Sequence, residues 1–273
     1  MMAPASLRAI VSLSQFLEDR VGQQLSPERA WRVEALLRPV MVVRGIETLA
    51  ALVAVLPGDP ILGDEVIAAL LNHETSFFRD AGVIESAVSA LRDIAGGRRP
   101  RVWCAACATG QEPLSVAMLL AEEGRQADIV ATDVSNAALQ RARTGSYSQF
   151  EIQRGLPIRR MMRWFEGEAE QWRASGELLR AITYRRQNLV LDPPPPGGFD
   201  LIMCRNVLYY LAPTVRERVL ARLAESLRPG GLLLLGAGET VIGIGEQFRP
   251  SVRWRGLYEL TNATDRSPVY NAA

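Results

Sequence analysis

The residues best placed for chemistry in this 273-residue chain follow three short apolar runs. Arg101 to Ala105 is followed, after Ala106, by Cys107-Ala108-Thr109-Gly110-Gln111-Glu112. Asp133 follows Asp128 to Thr132 and lies 23 residues beyond Gly110. Phe199 to Cys204 leads into Arg205-Asn206-Val207-Leu208-Tyr209-Tyr210. An acid about 20 residues past a glycine turn is placed to accept hydrogen bonds from ribose hydroxyls. The turn has one glycine, so it is not the GxGxxG that lets a backbone approach a pyrophosphate, and no GxxxxGK[ST] phosphate loop is present. A nucleoside ligand without phosphates fits better, and S-adenosylmethionine is a common one. Gly110 and Asp133 also fit a plain turn glycine and a helix-capping acid.

Glu112 opens a helix, where a carboxylate is favoured by the backbone dipoles alone. It can equally accept from the ammonium of the ligand's methionine end. Asn188, beyond a third strand near Ile182-Thr183-Tyr184, can hold a ribose or adenine edge or cap a turn. A [DNS]PP[YFW] turn after the fourth strand would hold an exocyclic amine as acceptor. None is there, and Pro193 to Pro196 precedes the strand.

Composition removes other chemistries. All 31 basic residues are arginine, which excludes Schiff-base and lysine-nucleophile catalysis. A single histidine, His73, excludes a two-histidine HExxH site. Cys104 and Cys107 have the C-x-x-C spacing of zinc ligands, and Cys204 and His73 complete a conceivable set. Cys104 belongs to strand packing, however, and small buried apolar residues are the better reading, so no metal is expected. A net charge of +1 argues against bulk attraction to nucleic acid or a membrane surface. No apolar run approaches the roughly 20 residues of a membrane span, and no charged segment precedes an apolar one, so neither insertion nor a signal peptide is expected.

The elements that must position these residues read as two regions. Up to about residue 75 the periodicity is helical. Leu7, Ile10, Val11, Ser14, Leu17 and Val21 form one stripe. Ser26-Pro27 opens a helix carrying Trp31, Ala35 and Leu36 on one face, and Asp59-Pro60 repeats that signal. After the break at Gly96 to Pro100, strands and helices alternate, which predicts a parallel sheet covered on both faces. The strands are Arg101–Ala105, Asp128–Thr132, the run at Ile182, Phe199–Cys204 and Leu232–Leu235. Val252 to Leu260, broken by Gly256, reads as a terminal hairpin or paired strands. Gly145 to Gly176 is an irregular insertion, and the polar end beyond Thr261 a frayed tail.

His73-Glu74-Thr75-Ser76-Phe77-Phe78-Arg79-Asp80 is similar to the N-x-T-x-F-F-R of the CheR-type chemotaxis receptor methyltransferases. Trp103 to Ser115 resembles W-S-A-A-S-T-G-E-E-P-Y-S, and Ala131-Thr132-Asp133, Asn188-Leu189 and Phe199 to Val207 continue the match in order. Leu232 to Glu239 resembles the family's LfLGhsE strand. The likeness covers roughly residues 10–260. Departures are His73 for asparagine, Gln111 for the first glutamate of Glu-Glu-Pro, Leu114 for tyrosine, and cysteines for the strand-one serines.

The resemblance implies an α/β class I S-adenosylmethionine-dependent methyltransferase with a doubly wound, mostly parallel sheet. It implies an N-terminal all-α domain over 1–80, a catalytic domain over 81–265 with a small β-subdomain inserted at about 146–180, and a tail over 266–273. It further implies methyl transfer to glutamate side chains on the helical bundle of cytoplasmic chemoreceptor domains, giving methyl esters and S-adenosylhomocysteine. The alternative is a methyltransferase for another protein or small-molecule carboxylate. Cofactor contacts carry over onto His73, Thr75, Arg79, Glu112, Asp133, Asn188, Leu189, Arg205 and Asn206, and Tyr210 falls near the methyl donor. Arg79 and Tyr210 are the pair expected to orient the reactants, Arg79 through bidentate pairing; an ion pair of Arg79 with Asp80 or Glu85 is the plainer reading. Arg29, Arg32, Arg38 and Arg44 read either as a solvated face or as a patch for acidic receptor helices. Glu166 to Ser175 is shorter and more acidic than the loop with which some family members grip a receptor pentapeptide, so no such tether is expected. A cytoplasmic enzyme is implied; its oligomeric state is left open.

Overall fold

The computed structural model describes residues 4–25, 31–168 and 170–261. The N-terminal layer is helical: α1 (Pro4–Val21), α2 (Val33–Arg44), α3 (Leu49–Val55) and α4 (Pro60–Leu70). Thr48 caps α3 by accepting from Ala51 N–H, and Asp59 caps α4 by accepting from Leu62 N–H at 2.9 Å, with Pro60 at the first helical position. The layer buries Leu13, Leu17, Val33, Leu37, Leu52, Leu62 and Val66 in a core of its own.

The second region begins with α5 (Ala81–Ala95), then β1 (Arg101–Ala105), α6 (Gln111–Glu122), β2 (Asp128–Asp133) and α7 (Asn136–Thr144). An insertion follows: β3 (Ser146–Ser148), α8 (Gln149–Gln153), α9 (Ile158–Trp164), β4 (Phe165–Glu168), β5 (Gln171–Ala174) and α10 (Gly176–Arg180). The chain then completes the main sheet with β6 (Ile182–Arg186), β7 (Phe199–Cys204), α11 (Pro213–Ser226), β8 (Leu227–Leu235), β9 (Phe248–Pro250) and β10 (Leu257–Leu260).

The seven-stranded sheet has the order β6-β2-β1-β7-β8-β10-β9. β6, β2, β1, β7 and β8 pair parallel, and β10 runs antiparallel to both its neighbours. β1 and β7 are fully or nearly buried along their length, as the apolar runs require of strands covered on both faces. Alternate residues feed two cores: Val102 and Cys104 face one, Trp103 and Phe199 the other. The strand order reverses between β1 and β7, so the crevice beyond their carboxyl ends is where a ligand belongs.

Four readings are corrected. In α1 the buried stripe is Ile10, Leu13, Leu17 and Val21, while Leu7 and Val11 are exposed. α2 buries Val33, Leu37 and Met41, leaving Trp31 70% exposed. It is apolar on several sides, so periodicity alone did not fix the inward face. The terminal pair is β9 and β10, and Val252 to Gly256 forms the turn between them. The insertion is regular after all: β3, β5 and β4 form their own antiparallel sheet, and Ser148 with Glu151 makes a capping box on α8. The helix start at Ser26-Pro27, Arg29, and the tail beyond Thr261 lie outside the described residues.

Candidate active site

A cleft of about 950 Å³, its open solvent-filled mouth included, lies beyond the carboxyl ends of β1, β2, β6 and β7. His73, Thr75, Arg79, Glu112, Asp133, Asn188, Leu189, Arg205, Asn206 and Tyr210 all line it. The helical layer forms one wall, and the loops of the sheet form the others. The two are tied together: Asn188 Nδ2 donates to Arg20 O at 2.6 Å, Gln24 N–H to Tyr210 O at 2.8 Å, and Arg186 pairs with Asp64 at 3.0 Å.

The floor is set by the turn after β1. Asp133, at the end of β2, accepts from Ala108 N–H at 2.8 Å and from Ser135 N–H at 2.9 Å. Each oxygen keeps a further acceptor position, which suits a diol. Burial raises the Asp133 pKa, and the backbone donors only partly offset it. Gly110 has φ +93, and a Cβ there would stand 2.9 Å from Ala142 Cβ and 3.1 Å from the hydroxyls of Tyr147 and Tyr184. Only glycine lets the turn close. Among the described residues the non-glycine positions with positive φ are Phe78, Asp80, Ala106, Ala108 and Asn206. All of them line the cleft or flank Arg79. Backbone strain of this kind gathers where surrounding structure must over-determine a site.

The charged groups divide by how firmly they are held. The Arg205 side chain is 3% exposed and pairs with Asp80 at 2.5 Å and Glu112 at 3.1 Å, while donating to Arg79 O at 2.8 Å. It is a strut that fixes Glu112. Burial raises the Glu112 pKa, with Arg205 drawing it back down. Arg79 is looser: it pairs with Glu74 at 3.4 Å, and both side chains are about a third exposed. His73 Nε2 donates to Ala68 O at 2.9 Å. Asn188 spends its amide oxygen on Val190 N–H and its amide nitrogen on Arg20, so its side chain shapes the wall.

Four further residues matter that were not among the expected site residues. Gln187 lines the cleft, and among the described residues its buried amide oxygen has no hydrogen-bond partner. Such an orphan acceptor fits an adenine amine. Asn72 donates to Tyr210 Oη at 2.7 Å, and Tyr209 Oη lies 3.1 Å from it. Glu239 accepts from the backbone of Asn206, Val207 and Leu208, clamping the loop that carries Tyr210. Glu74 links Arg79 to Arg154. The signal for Glu239 was its place at the end of the last parallel strand; Gln187 and Asn72 are ordinary polar residues in sequence.

The cysteines do not form a common site. All are free and buried, and burial pushes their thiol pKa values up. Cys104 and Cys204 face opposite cores of the sheet. Among the described residues no cluster of three or more metal-ligating side chains occurs, and no single helix is long and apolar enough to cross a membrane.

A mostly parallel sheet with this strand order, an acid at the end of β2 and a cleft over the switch point define a class I S-adenosylmethionine-dependent methyltransferase. Residues 73–254 match the family model described as CheR methyltransferase, SAM binding domain. The chain is 33% identical over 249 residues to chemotaxis protein methyltransferase Cher2 of Pseudomonas putida, covering 86% of this chain and 90% of that one. Chemotaxis protein methyltransferase 1 of Pseudomonas aeruginosa is 32% identical over 248 residues with the same coverage, and a chemotaxis protein methyltransferase of Vibrio parahaemolyticus is 33% identical over 247. The chain belongs to the CheR methyltransferase family, and its cofactor is S-adenosylmethionine.

Proposed function

We propose that the enzyme methylates glutamate side chains on the cytoplasmic helical bundle of chemoreceptors, forming glutamyl methyl esters and S-adenosylhomocysteine. The family names of its relatives support the substrate class. The observation that carries the reading is the looseness of Arg79 beside the locked Arg205. A guanidinium at the cleft, held among the described residues by one long ion pair, is available to a carboxylate from outside.

S-adenosylmethionine supplies an activated methyl group when bound. Asp133 takes the ribose hydroxyls, Glu112 the methionine ammonium, and Gln187 the adenine amine; His73, Thr75, Leu189 and Asn206 complete the walls. An acceptor glutamate is already ionised near neutral pH, its reference pKa being about 4.3. No residue has to remove a proton, so the protein's work is alignment. Arg79 orients the acceptor carboxylate, and Tyr210, fixed by Asn72 and by the backbone of Gln24, bounds its position. Near-attack alignment of this kind supplies about 7–11 kcal/mol in favourable cases. The arginines proposed for an acidic receptor face are already paired where described: Arg44 with Glu65 at 2.8 Å, Arg38 with Glu34 at 3.2 Å, and Arg32 over the Trp31 ring.

The test is transfer of labelled methyl to a receptor cytoplasmic fragment. Wild type labels glutamates as base-labile esters, and Arg79→Ala lowers turnover about 10²-fold, the size expected when a reactant is misplaced. Tyr210→Phe costs less, about tenfold, for one hydrogen bond. Label on a small carboxylate or another protein, with none on the receptor fragment, refutes the substrate assignment.

A further inference from the structure

Three charged side chains run in line from the cleft to the inserted subdomain. Arg79 Nη1 stands 3.4 Å from Glu74 Oε2, and Glu74 Oε1 accepts from Arg154 Nη2. Glu74 and Arg79 line the cleft, and Arg154 caps the end of α8 in the insertion. The group facing Arg79 is therefore a glutamate carboxylate, the same functional group that the acceptor brings. The neighbouring charges are already committed: Asp80 and Glu112 to Arg205.

We propose that Glu74 is an internal stand-in for the acceptor carboxylate. It neutralises Arg79 before the receptor binds and gives Arg79 up when the acceptor glutamate arrives, with Arg154 holding it aside. Two features make the exchange easy. The Arg79 pair is long and about a third exposed, and an exposed pair of this kind biases an equilibrium by about fivefold at most. Glu74 also keeps a second cation, Arg154, so releasing Arg79 does not strand its charge. The arrangement tunes acceptor affinity from the insertion, since whatever draws Arg154 away frees Glu74 to compete for Arg79. The inference rests on the reading of Arg79 as the acceptor's anchor.

Steady-state methyl transfer to a receptor cytoplasmic fragment, with the full chain, tests it. Glu74→Gln is expected to lower KM for the fragment about threefold. Arg154→Ala, which leaves both Glu74 oxygens to Arg79, is expected to raise it by a similar factor. KM for the acceptor should move more than KM for S-adenosylmethionine in both variants. A fall in kcat for Glu74→Gln without a lower acceptor KM makes Glu74 an orienting strut and overturns the proposal, as do shifts of the two variants in the same direction. Full turnover by Arg79→Ala removes the underlying anchor reading instead. An impaired Arg79→Ala with an unmoved KM in Glu74→Gln removes this inference alone.

Discussion

Glu239 holds the loop between β7 and α11 with a single carboxylate. Its Oε2 accepts from Asn206 N–H at 2.7 Å and Gly236 N–H at 2.8 Å; its Oε1 accepts from Val207 at 2.9 Å, Leu208 at 2.7 Å and Tyr209 at 3.4 Å. Gly236 is glycine for the same reason, because a Cβ there would stand 2.8 Å from Asn206 N and from Glu239 Oε2. A hydrogen bond to a charged group contributes about 1.5–3 kcal/mol. The full sum is not lost on truncation, since the freed N–H groups of this half-buried loop regain water. Two strong bonds' worth, about 3–6 kcal/mol, is the expected local cost of Glu239→Ala. The loop carries Asn206 and Tyr210, so kcat should fall about 10²-fold, as for a reactant displaced by about 1 Å. Glu239→Gln separates charge from shape: its one remaining oxygen serves one side of the clamp, and its amide opposes the N–H groups on the other. It should fall between wild type and alanine, at about tenfold. Methyl-transfer kinetics read the first effect, and amide exchange at 206–209 reads the loosening. Wild-type turnover together with wild-type exchange protection in Glu239→Ala would refute the clamp.

Burial raises the Glu112 pKa, and only the ionised form attracts the cofactor's ammonium, so S-adenosylmethionine affinity should hold near neutrality and weaken as pH falls through that raised value. Calorimetry from pH 8 down to pH 5 checks this; Glu112→Gln should bind about tenfold more weakly and lose the trend. At the far end of the sheet, burial works to raise the Asp200 pKa, but bonds from Arg98 and Arg101 N–H and the charges of Arg98 and Arg228 outweigh it and leave the value lowered. A folded-state pKa below the unfolded one stabilises above the ordinary carboxylate range and stops doing so as pH falls through the lowered value. Asp200→Asn should therefore cost about 1–2 kcal/mol at pH 7, reduced by the exposure of Arg98, and almost nothing at the acid end, by urea unfolding. Gly155 has φ +91, and a Cβ there would collide with the carbonyl of the buried Phe77. Gly155→Ala should cost at least about 1–3 kcal/mol in stability and lower turnover by moving the Phe77-Phe78-Arg79 segment; an unshifted melting temperature would contradict the contact.

How far the sequence carried depended on whether a residue's surroundings are local. Parallel strands buried on both faces are short continuous apolar runs, and β1, β2, β7 and β8 stand at or close to the positions their runs mark. Caps such as Asp59 and Ser135 are equally local, because donor and acceptor lie three residues apart. The inward face of α2 was not local: with apolar residues on several sides, only packing against the other helices selects Val33, Leu37 and Met41. The insertion hid its strands because they are three or four residues long and half exposed, too short for alternation to register. The candidate site residues gather in one cleft, yet the division of labour between Arg79 and Arg205 could not be read. Both are arginines in motifs, and only the placement of Asp80 and Glu112 locks one of them.

That division bears on why the cleft is strained. Displacement by a carboxylate needs neither a base nor an acid, so rate must come from geometry, and geometry must come from parts that do not move. Ala106, Ala108 and Asn206 occupy left-handed backbone that costs about 1–3 kcal/mol each. Two of them are paid back by a neighbour: Ala108 N–H is bonded to Asp133, and Asn206 N–H to Glu239. The carboxylates that hold these turns lie at the end of β2 and just beyond β8, on either side of the switch point, and the sheet fixes the spacing between them. Rigid backbone thus frames the proposed cofactor site, while the loosely paired Arg79 is left at the side proposed for the acceptor. A site built the other way, with a fixed acceptor anchor and a mobile cofactor floor, would bind one receptor glutamate well and align the methyl group poorly.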